Sequence, residues 1–251
     1  MKKLNSADIA GFLDQKVTQF YNSEIKFLKK LRLENVLKNS NFYLCNFKNT
    51  ILLYELLHNR IKSLLEPFED KLFNNLFMEL AIFICGKVYG GKKSTSEGID
   101  LEFEKDKTKY IVSIKSGPNW GNSQQINRMK DNFKKAKKRL GTNSPKANVI
   151  TVNGCCYGID DNPDKGDYLK LCGQRFWSFI SGDENLYTDI IEPLGYKAKE
   201  KNEKFSKEYG KVINKFTVEF AKYYCDADGN ILWDGLVKLN SGKKKNIDID
   251  Y

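Results

Sequence analysis

The spacing of apolar and polar positions changes period several times along the chain, and each change marks an element. From about residue 5 to 38, Ile9, Phe12, Leu13, Val17, Phe20, Ile25, Leu28 and Leu31 recur at helical spacing, and Asn5 or Ser6 can cap the start. A second helix is predicted over about 47–65. Pro67 is expected to interrupt it, and 69–87 follows as an apolar helix with Leu72, Leu76, Phe77, Leu80 and Phe83 on a wide core face, ended by Tyr89-Gly90-Gly91. The period then drops to two. In GIDLEF, Ile99, Leu101 and Phe103 alternate with Asp100, Glu102 and Glu104. In KYIVSIKS, Tyr110, Val112 and Ile114 alternate with Ile111, Ser113 and Lys115. KDKT, Lys105 to Thr108, reads as the hairpin turn between them. A basic helix over about 123–140 and a third strand over 147–154 follow, then helices near 168–181, 184–192 and 198–224. The stretch ILWDGLVKL allows at most a short strand pair before the charged end SGKKKNIDIDY.

These elements predict an α/β fold, a mixed β-sheet flanked by helices, with helical additions at both ends. One domain is expected over 1–251, with an N-terminal helical portion (1–68), a core (69–195) and a C-terminal helix and tail (196–251). The 41% hydrophobic content is that of an ordinary globular chain. No run of about 18 apolar residues predicts a spanning helix, and MKKLNSADIAGF lacks the apolar region of a secretory signal. The six cysteines fit neither a zinc pattern nor a disulfide framework, which points to reduced thiols and a cytoplasmic setting. Abundant Lys, Asn and Ile suggest an AT-rich, prokaryotic source.

Charge narrows the field. With 42 Lys and Arg against 32 Asp and Glu, the formal net charge is +10, which favours a polyanionic partner. No segment combines a basic face with a bulky apolar one, so a membrane surface is disfavoured as that partner. Cutting a nucleic-acid phosphodiester requires an activated water and stabilisation of growing negative charge. A Mg²⁺ ion on one or two carboxylates and a nearby lysine supply both. Side chains two apart on a strand share a face. Asp100 therefore shares one with Glu102, and Ser113 with Lys115, while Ile99, Leu101, Phe103, Val112 and Ile114 are expected to pack on helices from the other.

The order helix, GID, hairpin, strand ending in IK, helix, strand resembles the PD-(D/E)xK nuclease superfamily. The run KSGPNWGNSQQI and the later LCGQRFWSFISG look like a group of type II restriction endonucleases within it; the likeness covers about 70–195. The resemblance implies a restriction-endonuclease-like core, double-stranded DNA as substrate, Mg²⁺ as cofactor, Asp100 as the metal-binding aspartate and Lys115 as the motif lysine. A homodimer matched to palindromic sites and a cognate methyltransferase encoded nearby are also implied. Two positions depart from the pattern. Ile99 replaces a proline, which is harmless. Ser113 replaces the second carboxylate, which removes a metal ligand.

Glu79, the polar interruption in LFMELAIFI, is the expected substitute; Glu102 and Asp131 are the other candidates. Asn119, Trp120, Asn122, Gln124 and Gln125 follow the lysine after a Gly117-Pro118 turn. Their amides suit contacts to phosphate or adenine edges, although Trp120 also suits a loop plug. Arg128, Lys134 and Lys138 belong to a basic helix that suits phosphate contact or simple solvation. His58 is the sole histidine and sits in a helical context, which disfavours histidine-dependent hydrolysis. GKKST at 91–95 lacks the spacing of a nucleotide phosphate loop. A DNA-binding protein on a decayed nuclease scaffold is the rival expectation.

Overall fold

The structure is a computed structural model and describes residues 4–38, 40–143, 148–196 and 198–242. In chain order the helices are α1 (Ser6–Lys30), α2 (Leu33–Leu37), α3 (Phe42–Phe47), α4 (Leu53–Tyr89), α5 (Ser123–Asn143), α6 (Gln174–Ser181), α7 (Leu186–Asp189), α8 (Ile191–Gly195), α9 (Ala198–Tyr224) and α10 (Trp233–Ser241). The strands are β1 (Lys92–Lys93), β2 (Leu101–Lys105), β3 (Thr108–Lys115), β4 (Asn148–Cys155) and β5 (Leu169–Cys172). The chain divides into two compact units, one of residues 1–18 with 71–198 and the other of 19–70 with 199–251.

The first unit is built on a mixed sheet in the order β1-β2-β3-β4-β5, antiparallel from β1 to β3 and parallel from β3 to β5. The β2–β3 hairpin closes through Asp106 and Lys107, whose φ values of 50° and 61° are the positive pair that a tight hairpin turn with strand-matched twist requires. The β3–β4 connection contains α5, because two parallel neighbours need a crossover. Met129, Phe133, Ala136 and Leu140 recur along the inner side of α5 and are buried with Ile99 and Ile111. On the other sheet face, the Phe103 ring stacks at 5.6 Å on Tyr89 and at 5.2 Å on Tyr110, and Phe179 meets it edge-on at 5.3 Å. Each large apolar side chain buried this way contributes roughly 1.5–3 kcal/mol.

Helices thus cover both faces of the sheet, which is the α/β architecture that the alternation predicted. Ile99 departs from its expected place. It packs with Ile111 and the inner side of α5. It precedes the first ladder residue of β2, Leu101, and follows Gly98 at φ +70°, so strict alternation has not yet begun there. Two strands escaped the sequence: β1, two residues long, and β5, where a helix was expected from 168. The LKLC of β5 does alternate, but over a single short edge segment.

The second unit is helical. Its core gathers Leu28, Val36, Leu37, Phe42, Leu57, Ile61, Phe216, Phe220 and Leu236. The expected first helix breaks at Arg32, which is extended (φ −125°, ψ 144°). Asn41 restarts the chain by accepting the Leu44 N–H at 3.0 Å, the capping bond of α3. Pro67 does not interrupt α4, which runs continuously from Leu53 to Tyr89. Pro67 and Ser63, the residue whose carbonyl loses its partner, are both exposed, so water can satisfy that carbonyl. Among the described residues α4 is the one helix long and apolar enough, by length and composition alone, to cross a membrane, although the sequence showed no uninterrupted apolar run. Within the first unit its Leu76, Leu80, Ala81, Ile84 and Cys85 are buried. The expected strand pair at 231–239 is instead α10, and a single bridge joins Cys225 and Ile231. Residues 243–251 lie outside the described residues.

Candidate active site

The hairpin register determines which polar groups meet. Leu101 stands opposite Val112, so Asp100 lies opposite Ser113, on the face that also carries Lys115. Beside them, β4 contributes Asn153, the parallel partner of Ser113. This is the carboxyl end of β3 and β4, where open sheets leave a crevice for ligands. A cleft of about 600 Å³ opens there, lined by Asp100, Ser113, Lys115, Trp120, Gln125 and Arg128 among others.

Asp100 is held by its surroundings. Its Oδ2 accepts the Ile114 N–H at 2.7 Å. Burial pushes its carboxyl above the usual aspartate range, while the Ile114 N–H, Lys115 and Lys93 pull the other way. The Lys115 ammonium lies 4.8 Å from the centre of the Trp120 ring, a cation–π contact. Trp120 is itself pinned, because its Nε1–H donates to Asn153 Oδ1 at 3.0 Å. Asn153 Nδ2 donates in turn to the Ser113 carbonyl at 3.2 Å. Asn153 is 1% exposed, and a buried amide with both ends bonded fixes the geometry between them. The Gly117-Pro118 turn that brings Trp120 over is itself packed. A side chain at Gly117 would meet the Tyr157 ring at 2.4 Å.

The other expected site residues divide. Gln125 lines the cleft, but it and Asn122 are engaged with each other. Gln125 Oε1 accepts the Asn122 N–H at 3.0 Å, and Asn122 Oδ1 accepts the Gln125 N–H at 3.1 Å, a reciprocal cap at the start of α5. Asn119 and Gln124 are exposed. Lys134 and Lys138 lie on the exposed side of α5, and the helix's Lys130 pairs with Asp167 at 3.0 Å. Cys156, next to Asp100's charge, has its thiol pushed well up, chiefly by burial. His58 belongs to the second unit, where its Nδ1 meets the Tyr209 hydroxyl at 3.0 Å.

The acids corrected most are those expected to replace the one missing at Ser113. Glu79 does not line the cleft; its carboxylate pairs with Lys16 at 2.6 Å and is 45% exposed. Leu76 and Leu80 take the buried side of that turn, and Asn75 and Met78 take the side that faces the cleft. Glu102 is buried, accepting from the Ser94 hydroxyl and lying 3.7 Å from Arg139. Asp131 is exposed and outside the cleft, whereas its neighbour Asn132 lines it.

Two cleft residues, Asn132 and Glu97, and Asn153, which holds Trp120 from β4, went unnoticed in the sequence. Asn153 reads there only as a polar residue on the Thr151 face of ANVITVNG. Asn132 sits where a side chain at Gly98 would be, 2.1 Å from its Nδ2, so Gly98 is obligatory. Glu97 immediately precedes the GID motif; it lines the cleft and meets Arg128 at 3.1 Å.

A mixed sheet with helices on both faces, and an Asp and a Lys on one face at the carboxyl end, define a restriction-endonuclease-like nuclease. A family model described as type II restriction endonuclease EcoO109I matches residues 7–202, and the chain belongs to that family. No curated protein matches it.

Proposed function

We propose that this chain is a Mg²⁺-dependent, site-specific endonuclease that hydrolyses both strands of duplex DNA within a restriction system. It would act as a homodimer in a prokaryotic cytoplasm, with a methyltransferase encoded nearby. The observation that carries the proposal is the placement of Asp100, Ser113 and Lys115 in one cleft at the carboxyl end of β3.

The donor set suits the cation. Among the described residues no three His, Cys, Asp or Glu side chains gather. The groups that line the cleft beside Asp100 offer carboxylate and hydroxyl oxygens, the hard ligands Mg²⁺ prefers, and one or two carboxylates suffice for it. When bound, Mg²⁺ polarises the phosphate and lowers the pKa of a coordinated water. Asp100 would hold it with the carboxylate oxygen that Ile114 does not engage. Lys115, fixed over Trp120, would orient the attacking water and offset charge on the phosphate oxygens. Arg128 and the outer lysines of α5 would contact the DNA backbone.

The test is cleavage of mixed plasmid DNA with Mg²⁺, the ends mapped by sequencing. Discrete ends are expected, with Asp100→Ala and Lys115→Ala each reducing the rate by orders of magnitude while DNA binding persists. Binding without any cleavage by the unaltered protein would favour the decayed scaffold, for which Ser113 is the supporting observation. A near-normal rate in either variant would refute the assignment of the site.

A further inference from the structure

Ser113 leaves the cleft one carboxylate short of the superfamily pattern; Glu79 and Glu102 are engaged by other groups, and Asp131 is exposed outside the cleft. We infer that Glu97 supplies the second carboxylate to the cation, and that Arg128 competes weakly with the cation for it until a DNA phosphate takes up the guanidinium. The inference rests on the nuclease proposal above.

Four observations support it. First, of the residues lining the cleft, the carboxylates are Asp100 and Glu97. Second, Glu97 is carried by a built loop. Ser94 Oγ accepts the Ser96 N–H at 3.0 Å, and the Ile99 N–H donates to the Ser96 carbonyl at 3.2 Å. Gly98, at φ +70°, is wedged against Asn132 of α5. Third, the Glu97–Arg128 pair is open to solvent, with side chains 68% and 77% exposed. An exposed pair contributes about 0–1 kcal/mol, so exchanging partners costs little. Fourth, Arg128 lines the same cleft, and a DNA phosphate there offers its guanidinium a two-pronged partner. Arg128 moves to the phosphate, Glu97 turns to the cation beside Asp100, and every charge keeps a partner.

Binding of Mn²⁺ alone to the full chain, followed by calorimetry and by the loss of its free-ion paramagnetic resonance signal, separates the parts. Asp100→Asn is expected to abolish the site. Glu97→Gln should weaken Mn²⁺ binding by at least about tenfold, and Glu97→Asp by less. Arg128→Ala should tighten it, because the competing cation is gone. A merely structural pair predicts that Glu97→Gln and Arg128→Ala shift the affinity in the same direction, and that result overturns the inference. Unchanged affinity in Glu97→Gln, with the site lost in Asp100→Asn, overturns the role of Glu97 and leaves the nuclease proposal standing. An unaltered chain that neither binds Mn²⁺ nor cleaves DNA overturns both.

Discussion

Replacing Asn153 with alanine tests whether the path from β4 to Lys115 sets the cleft's geometry. The side chain is buried; it accepts from the Trp120 indole at 3.0 Å and more weakly from the Cys155 thiol at 3.9 Å, and donates to the Ser113 carbonyl at 3.2 Å. Its removal takes the side-chain donor from the Ser113 carbonyl, which keeps its place in the β3–β4 ladder, and frees the half-buried indole N–H. Two such bonds contribute about 0.5–1.5 kcal/mol each, so a loss of about 1–3 kcal/mol in stability is expected. Trp120→Phe keeps a ring under Lys115 but deletes the indole N–H, with an expected cost of about 1–2 kcal/mol. The two changes share one bond, so their effects should be non-additive by about 1 kcal/mol. The functional consequence is separate. A free Trp120 no longer fixes the Lys115 ammonium, whose ring contact is worth about 0.5–2 kcal/mol. Asn153→Ala should therefore slow single-turnover cleavage roughly tenfold, the equivalent of about 1.4 kcal/mol. Urea unfolding of both single variants and the double variant gives the coupling, and cleavage under saturating protein gives the rate. Strict additivity together with an unaltered rate would show that Asn153 is only a packing residue.

Two further expectations follow from charge. Changing Lys134, Lys137 and Lys138 to Gln should flatten the dependence of log K on log salt by about 0.9 for each phosphate that α5 no longer neutralises; an unchanged slope would mean that this side of the helix faces only water. In the second unit, Glu24 is 3% exposed and its Oε2 has no hydrogen-bond partner among the described residues; burial and the neighbouring Glu69 push its pKa up from 4.5 to about 8. A carboxyl with a raised folded-state pKa stabilises fully only below its unfolded value and loses that contribution as pH rises through about 8. Glu24→Gln should thus raise the unfolding midpoint at pH 8–9 by several degrees and change it little near pH 4, and equal shifts at both would disprove the linkage.

The parts of the fold legible in the sequence were those where one periodicity persists. The β2–β3 hairpin was clear because a period-two pattern runs uninterrupted there; α5 was expected as a basic helix over about 123–140, but its buried face of Met129, Phe133, Ala136 and Leu140 was not picked out. What stayed hidden was decided by burial at a distance. Pro67 reads as a break, yet solvent exposure lets α4 continue through it. LKLC is too short to separate β5 from the helix that follows. Asp100 and Lys115 could be brought together from alternation and a short turn. Glu79 could not be placed, because a helix position one residue from Met78, which does line the cleft, looks equivalent until the packing of Leu76 and Leu80 sets the rotation. Asn153 was out of reach for a related reason. Its value depends on the parallel pairing with Ser113 across an α5 crossover, and nothing local encodes that pairing.

The identity of residue 113 follows from the same geometry. The side chain at that position is 1% exposed, opposite Asp100 and beside Asn153. A carboxylate there would be desolvated next to another carboxylate whose own pKa is already raised by burial. Two such groups are tolerated only with a cation between them; without it, repulsion and desolvation together disfavour the ionised pair by several kcal/mol. Serine removes that cost from the free protein. Moving the acid to Glu97, in solvent and beside Arg128, keeps a carboxylate within the cleft at almost no desolvation cost. The compensating loss is preorganisation, since an exposed glutamate must be ordered when the cation binds. On this scheme Ser113→Glu should tighten Mn²⁺ binding in a Glu97→Gln background while lowering the stability of the metal-free chain. Calorimetric titration and urea unfolding of the double variant, with and without Mn²⁺, measure the two effects. Restored affinity with no loss of metal-free stability would show that burial is not what excludes an acid from position 113.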